Sequence, residues 1–133
     1  MSKLPNVLMT FYQSFNTGDT SHLYDILATD WVNHPNDPGQ SADISGFKAG
    51  ILDFRSAFSH FELKIMQSIQ EDNNVAVHLQ MSGTQIKPFA GIKPQNKPVI
   101  FYGFDRHVLS DDHSKILNTW HFEDFSNLII GEN

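Results

Sequence analysis

The sequence predicts an α+β fold in which three N-terminal helices pack around a pocket on a curved, mostly antiparallel sheet. Two observations predict it. Apolar residues recur every three or four positions as far as Phe58, then every second position from Phe61 onward. The alternating segments also follow one another with turn signals between them, so helices and an antiparallel sheet are segregated along the chain. The 133 residues fit a single domain spanning 1–133. A domain of that size buries enough surface to need no staple.

The elements follow in order. Leu4, Val7, Leu8, Phe11 and Phe15 mark one face of a first helix, and Gly18 is its stop. Asp19, Thr20 or Ser21 caps a short second helix with Leu23, Ile26 and Leu27 facing inward. Trp31-Val32 reads as a short extended piece. The run from His34 to Gly39 must be loop, because two prolines and a glycine interrupt it. Ile44, Phe47, Ile51, Phe54 and Phe58 give a third helix. Phe61, Leu63 and Ile65 then alternate with polar residues, Asn73-Asn74 signals a turn, and Val75, Val77, Leu79 and Met81 form the next strand. Gln85 to Pro98 holds three prolines and a glycine and reads as a long loop. Val99 to Leu109 is a strand apolar on both faces, and after a turn at Ser110 to His113 the last strand runs from Lys115 to Phe125. A strand apolar on both faces must be covered on both. One face holds helices and pocket. The other meets a second subunit in a homodimer, or is covered by the tail residues Leu128, Ile129 and Ile130.

Composition removes several function classes. There is no cysteine, hence no disulfide, thiolate metal site or cysteine nucleophile; a reducing cytoplasm suits this. The formal net charge is −6, and nine basic residues lie scattered, a poor footprint for nucleic acid or an anionic membrane. No stretch approaches the roughly 20 apolar residues of a membrane span. Nucleotide-binding glycine motifs and G-x-S-x-G are absent. Eleven phenylalanines are enough to build a core, line an apolar cavity, or do both.

Strand alternation places Thr119, His121 and Glu123 on one face of the last strand, and Gly103, Asp105 and His107 on one face of the strand before it. A hairpin between them brings Asp105 or His107 near His121. An imidazole held by a carboxylate is a competent general base near neutral pH. His121 is therefore the candidate acid/base, with Asp105 or His107 orienting it; the plainer reading is a half-buried histidine with one hydrogen bond. His34, in the Asn33-His34-Pro35 turn, is either a functional group on a loop or a structural corner. Tyr12, Trp31, Phe101, Thr119 and Asp124 are the candidate substrate contacts. The Tyr12 ring packs while its hydroxyl reaches a cavity or stays wet at the rim, and Asp124 is a pocket-rim acid or a solvated strand end. A three-histidine metal site would need His34, His107 and His121 to meet in the fold. No local spacing supports it, and neither metal nor cofactor is expected.

Several segments stand out in order: Trp31-Val32-Asn33-His34-Pro35 followed by Gly46-Phe47-Lys48, Ser82-Gly83-Thr84, Phe89-Ala90-Gly91-Ile92-Lys93-Pro94, Gly103-Phe104-Asp105-Arg106, and Ile116-Leu117-Asn118-Thr119-Trp120-His121. Together they resemble the SnoaL-like polyketide and ester cyclases of the nuclear-transport-factor-like superfamily. The resemblance implies a cone-shaped sheet and, in the cyclases, an intramolecular aldol condensation without metal or cofactor. It also implies a catalytic carboxylate next to the tryptophan of the last strand. That position holds His121 here, the family's preceding histidine falls on Thr119, and its glutamate falls on Asn118, so the sequence departs from the family at all three. Two functions remain: cofactor-free acid/base chemistry on a small, apolar, carbonyl-bearing molecule, or a non-catalytic cone that holds an apolar ligand or mediates assembly. A hydrogen-bonded polar pair on the pocket floor favours chemistry, because burying polar groups in an apolar cavity is costly.

Overall fold

The computed structural model describes residues 4–35, 41 and 43–129. In chain order the elements are α1 (Asn6–Thr17), α2 (Leu23–Ile26), β1 (Leu27–His34), α3 (Ile44–Ala57), β2 (Phe58–Glu71), β3 (Asn74–Gln85), β4 (Pro98–Leu109), β5 (Ile116–Asp124) and α4 (Ser126–Ile129). Five strands form one curved, unclosed sheet in the order β1-β5-β4-β3-β2. β2 to β5 pair antiparallel, and β1 lies parallel to β5 at the edge.

The helix stops follow local chemistry. Gly18 adopts the left-handed conformation (φ 77°) that an L side chain resists, and its N–H closes α1 on the Ser14 carbonyl at 3.0 Å. Asp43 caps α3 by accepting the Gly46 N–H at 3.0 Å. A Cβ on Gly46 would sit 2.0 Å from the Ser41 carbonyl oxygen, so only glycine fits this cap. The two long helices are tied to each other and to the sheet. Arg55 of α3 donates to the carbonyls of Phe15 and Asn16 at 2.6 and 2.8 Å, satisfying the exposed end of α1. The Asn16 amide makes a two-way bond with the Leu63 backbone of β2, at 3.0 and 2.8 Å.

The inner sheet face carries Val75, Val77, Leu79, Met81, Phe101 and Leu109, packed against Leu8, Phe11 and Ile51 of the helices. Aromatic contacts run through this layer: Phe11 stacks on Phe47 at 5.1 Å, and Phe54 meets Phe58, Phe61 and Phe89 at 4.7–5.1 Å.

Three expectations need correction. The extended piece at Trp31-Val32 is part of a full strand, so the sheet has five strands, and Leu27 leaves the second helix to begin it. Its partner is β5, almost ninety residues away, a pairing that no local pattern encodes. Phe58 begins β2 instead of closing α3, and a left-handed residue at His60 (φ 54°) accompanies a register shift between Ser59 and Glu62. The tail forms a fourth helix that sinks Leu128 into the core. Ile129 stays about half exposed, and Ile130 lies outside the described residues. The described part of the tail leaves the outer face open: Ile100, Tyr102, Phe104 and Phe122 are 40–64% exposed. No helix among the described residues is long and apolar enough to cross a membrane.

Candidate active site

Between the helices and the inner sheet face lies a cavity of about 340 Å³, within the range of small-molecule sites. Phenylalanines 11, 15, 47, 54, 89 and 125 line much of it. Its polar wall is contributed by Tyr12, Asn33, Asp53, Asp105, Thr119, His121 and Glu123. The β4–β5 ladder explains why: Gly103 faces Glu123, Asp105 faces His121 and His107 faces Thr119. All six share the concave side.

The deepest polar groups form a connected set. The Tyr12 hydroxyl donates to Asp105 Oδ2 at 2.6 Å and lies 2.7 Å from His107 Nε2. His107 Nδ1 lies 2.8 Å from the Thr119 hydroxyl, which accepts the Trp31 indole N–H at 3.1 Å. Asp105 and His107 are buried, at 8% and 0% exposure. Burial pushes the Asp105 carboxyl up to about 7; the Tyr12 hydrogen bond opposes this, the Glu123 charge adds to it, and His121 opposes it. Burial alone pulls His107 down to about 3, so it is neutral at physiological pH. The 4.0 Å approach of His107 Nε2 to Asp105 Oδ2 is therefore not an ion pair. Burial and the Asp105 charge and hydrogen bond push Tyr12 well above the ordinary tyrosine range, so it stays a hydroxyl.

Nearer the rim, His121 Nδ1 lies 2.7 Å from Glu123 Oε1, and its Nε2 bonds the Pro35 carbonyl. Burial pulls this imidazole down, but the Glu123 hydrogen bond and charge, the Pro35 carbonyl and Asp105 outweigh it and push it to about 9. His121 is an imidazolium at neutral pH, with both nitrogens occupied.

The structure brings Tyr12, Asp105, Thr119 and His121 to the cavity, with His107 one layer behind. The group that holds His121 is Glu123, not Asp105 or His107: two residues on along one strand face, it lies within reach of the ring. Trp31 and Phe101 are buried at 1% and 0% but do not line the cavity. Trp31 reaches it through Thr119 and through the Phe47 ring at 5.0 Å, and Phe101 packs behind Phe54 and Phe125. His34 stacks on Trp120 at 4.7 Å and bonds Asn118 at 3.2 Å, a corner outside the cavity wall. Asp124 is exposed at the end of β5, where it accepts the Ser126 N–H at 2.9 Å. Among the described residues no three His, Asp or Glu side chains gather as a metal-binding group. Sequence reasoning did not single out three polar residues of the cavity wall, Asn33, Asp53 and Glu123. Glu123 had a signal, since it shares the His121 face; Asn33 had none, because its neighbours come from a non-local pairing.

The fold is similar to that of several solved structures. TsrD from Streptomyces laurentii aligns with a TM-score of 0.81 at 22% identity, over 94% of this chain and 90% of that one. IdmH from Streptomyces antibioticus gives 0.80 at 21%, over 96% of each chain. A SnoaL-like polyketide cyclase from Agrobacterium tumefaciens gives 0.81 at 14%, over 100% of each. No curated protein matches the chain. The family model described as SnoaL-like polyketide cyclase matches residues 6–129, nearly the whole fold and every residue of the polar wall, and the chain belongs to that family.

Proposed function

We propose that the cavity performs cofactor-free acid/base chemistry of the cyclase type on a small, largely apolar, carbonyl-bearing molecule, with Asp105 as the base. One observation carries this reading: the Asp105 carboxyl is buried at the floor of an aromatic cavity, directly across the ladder from His121, and burial pushes it up to about 7. A general base works best with a pKa close to the working pH. The family's carboxylate position is held by His121, and the carboxyl in this chain stands on the neighbouring strand at the same level. His121, with both nitrogens engaged, serves as a fixed positive charge beside the reacting centre.

In this reading Asp105 takes a proton from a carbon next to a carbonyl. The C–H electron pair becomes an enolate, stabilised by the His121 charge. That carbon attacks a second carbonyl of the same molecule and a C–C bond forms. The resulting alkoxide recovers the proton from Asp105, so atoms and charge balance with no co-reactant. The polar floor favours chemistry over passive ligand storage, since an ionisable carboxyl buried among phenylalanines is costly to keep. The test needs no native substrate. An aryl methyl ketone in D₂O is followed by proton NMR for exchange at its α-carbon. The wild-type protein should accelerate exchange over buffer and Asp105→Asn should not; equal acceleration by both would remove Asp105 as the base.

We also propose that the outer sheet face joins a second copy. Phe104 and Phe122 face each other across the ladder, both more than half exposed, beside Tyr102 and Ile100, and contiguous exposed apolar patches mark interaction sites. Light scattering on the purified chain should give twice the monomer mass. A monomer at micromolar concentration would count against it.

A further inference from the structure

Trp31, Thr119, His107, Tyr12 and Asp105 form one unbroken hydrogen-bonded line from the core to the cavity wall. Their donor chemistry gives the line a direction. An indole N–H only donates, so Thr119 Oγ1 accepts from Trp31. The Thr119 proton then has His107 Nδ1, 2.8 Å away, as its acceptor. A neutral imidazole carries a single ring proton, which must then sit on Nε2. Nε2–H donates to the Tyr12 oxygen at 2.7 Å, and the Tyr12 proton goes to Asp105 Oδ2 at 2.6 Å. The opposite tautomer gives the Thr119 oxygen two N–H donors and leaves its own proton without an acceptor among the described residues. Every link uses one donor and one acceptor only in the first arrangement.

We propose that Trp31 and Thr119 are positioning residues: they hold His107 as the Nε2–H tautomer, which aims the Tyr12 hydroxyl at Asp105 Oδ2 and leaves Oδ1 as the atom that takes the substrate's proton. This rests on the reading of Asp105 as the base. It assigns His107 no proton transfer of its own, although it lies nearest the carboxyl on the same strand face. The titratable groups around Asp105 are Tyr12 from α1, Asp53 from α3 across the cavity, His107 on its own strand, and His121 and Glu123 from β5. Of these, only Tyr12 is bonded to the carboxyl.

The experiment is nitrogen NMR on the full chain labelled at histidine, with carbon NMR of labelled aspartate. His107 in the wild type should show an Nε2–H tautomer that persists from pH 5 to 8. Thr119→Val removes the hydroxyl while keeping the side chain's shape. It should abolish the tautomer preference and raise the Asp105 titration by ~0.5–1 pH unit, as the Tyr12 hydrogen bond loosens. Thr119→Ser keeps the hydroxyl and should restore both signals, which a purely structural role of the methyl group would not predict. An Nδ1–H tautomer in the wild type would overturn the proposal, and so would a Thr119→Val protein with unchanged tautomer and titration. If Thr119→Val fails to fold, the wild-type tautomer still decides. Full exchange activity in Asp105→Asn would instead sink the base assignment and leave the tautomer result standing.

Discussion

The two faces of β4 obey opposite rules. On the concave side the strand buries Gly103, Asp105 and His107, and on the convex side it exposes Ile100, Tyr102 and Phe104. A half-buried strand ordinarily does the reverse, with apolar residues inward and ionisable ones in water. Burying a carboxyl and an imidazole costs free energy, and leaving aromatics in water forfeits stabilisation. Phe101 and Leu109 keep the ordinary pattern at the two ends of the inner face; the departures at Asp105, His107, Tyr102 and Phe104 are what the proposed guest molecule inside and the proposed second copy outside would account for. The inner groups are satisfied by Tyr12 of α1 and Thr119 of β5, so the fold tolerates them. The outer aromatics are only partly satisfied, by the His78–Phe104 stack at 4.4 Å and by Arg106 over Trp120 at 4.2 Å.

The largest expected effect breaks the inner face. Asp105→Asn should lower α-carbon exchange by ~10²–10⁴-fold. Loss of only severalfold would mean that the charge matters and the proton transfer does not. Next, Tyr12→Phe removes the hydrogen bond that holds the Asp105 carboxyl down. The alkaline-rising limb of the pH–rate profile should then move above pH 7, with roughly tenfold lower exchange at neutrality. A profile that stays in place would detach Tyr12 from the base. The outer face is broken by Phe122→Glu, which should halve the mass seen by light scattering while leaving exchange unchanged. Loss of exchange as well would show that the two faces are coupled.

The inner pair also makes a prediction about stability. Asp105 has its folded pKa raised from 3.8 to about 7. Its contribution is therefore fully present below the unfolded value and is lost as pH rises through 7. His107 runs the other way, lowered from 6.5 to about 3. Its contribution is present above 6.5 and is lost as pH falls through 3. Between about pH 4 and 6.5 the two slopes oppose and largely cancel. Removing one should expose the other: Asp105→Asn should melt little differently from wild type near pH 4 and several degrees higher at pH 8. Equal melting at both would mean that the carboxyl pays no burial penalty. The smallest effect lies at the start of α3, at a residue outside the cavity lining. Asp43→Ala should cost ~1 kcal/mol of stability through the lost α3 cap, read from urea unfolding, with no change in exchange.

Much of this was legible along the chain, because periodicity is local. The stripe Leu4, Val7, Leu8, Phe11, Phe15 gave α1, and the alternation of Val75, Val77, Leu79 and Met81 gave β3. Alternation also placed Asp105, His107, Thr119 and His121 on shared faces, which is where they stand. What alternation could not provide was depth along the cone, or contacts between elements distant in sequence. It could not separate Thr119 and His121, which line the cavity, from Trp31 and Phe101, one layer behind. Nor could it find the Tyr12–Asp105 bond, which spans 93 residues and depends on how α1 crosses the sheet. The parallel edge strand was hidden for the same reason. Glu123 was on the right face all along, but a two-residue reach along one strand depends on side-chain rotamers that no spacing reports.

The most direct test is the titration of the Asp105 carboxyl itself, read from the side-chain carbon resonance of the wild-type protein and assigned with Asp105→Asn. A single inflection near pH 7 is the predicted result. An inflection near 4, the ordinary aspartate value, would mean that water reaches the carboxyl freely and that the cavity holds no poised base.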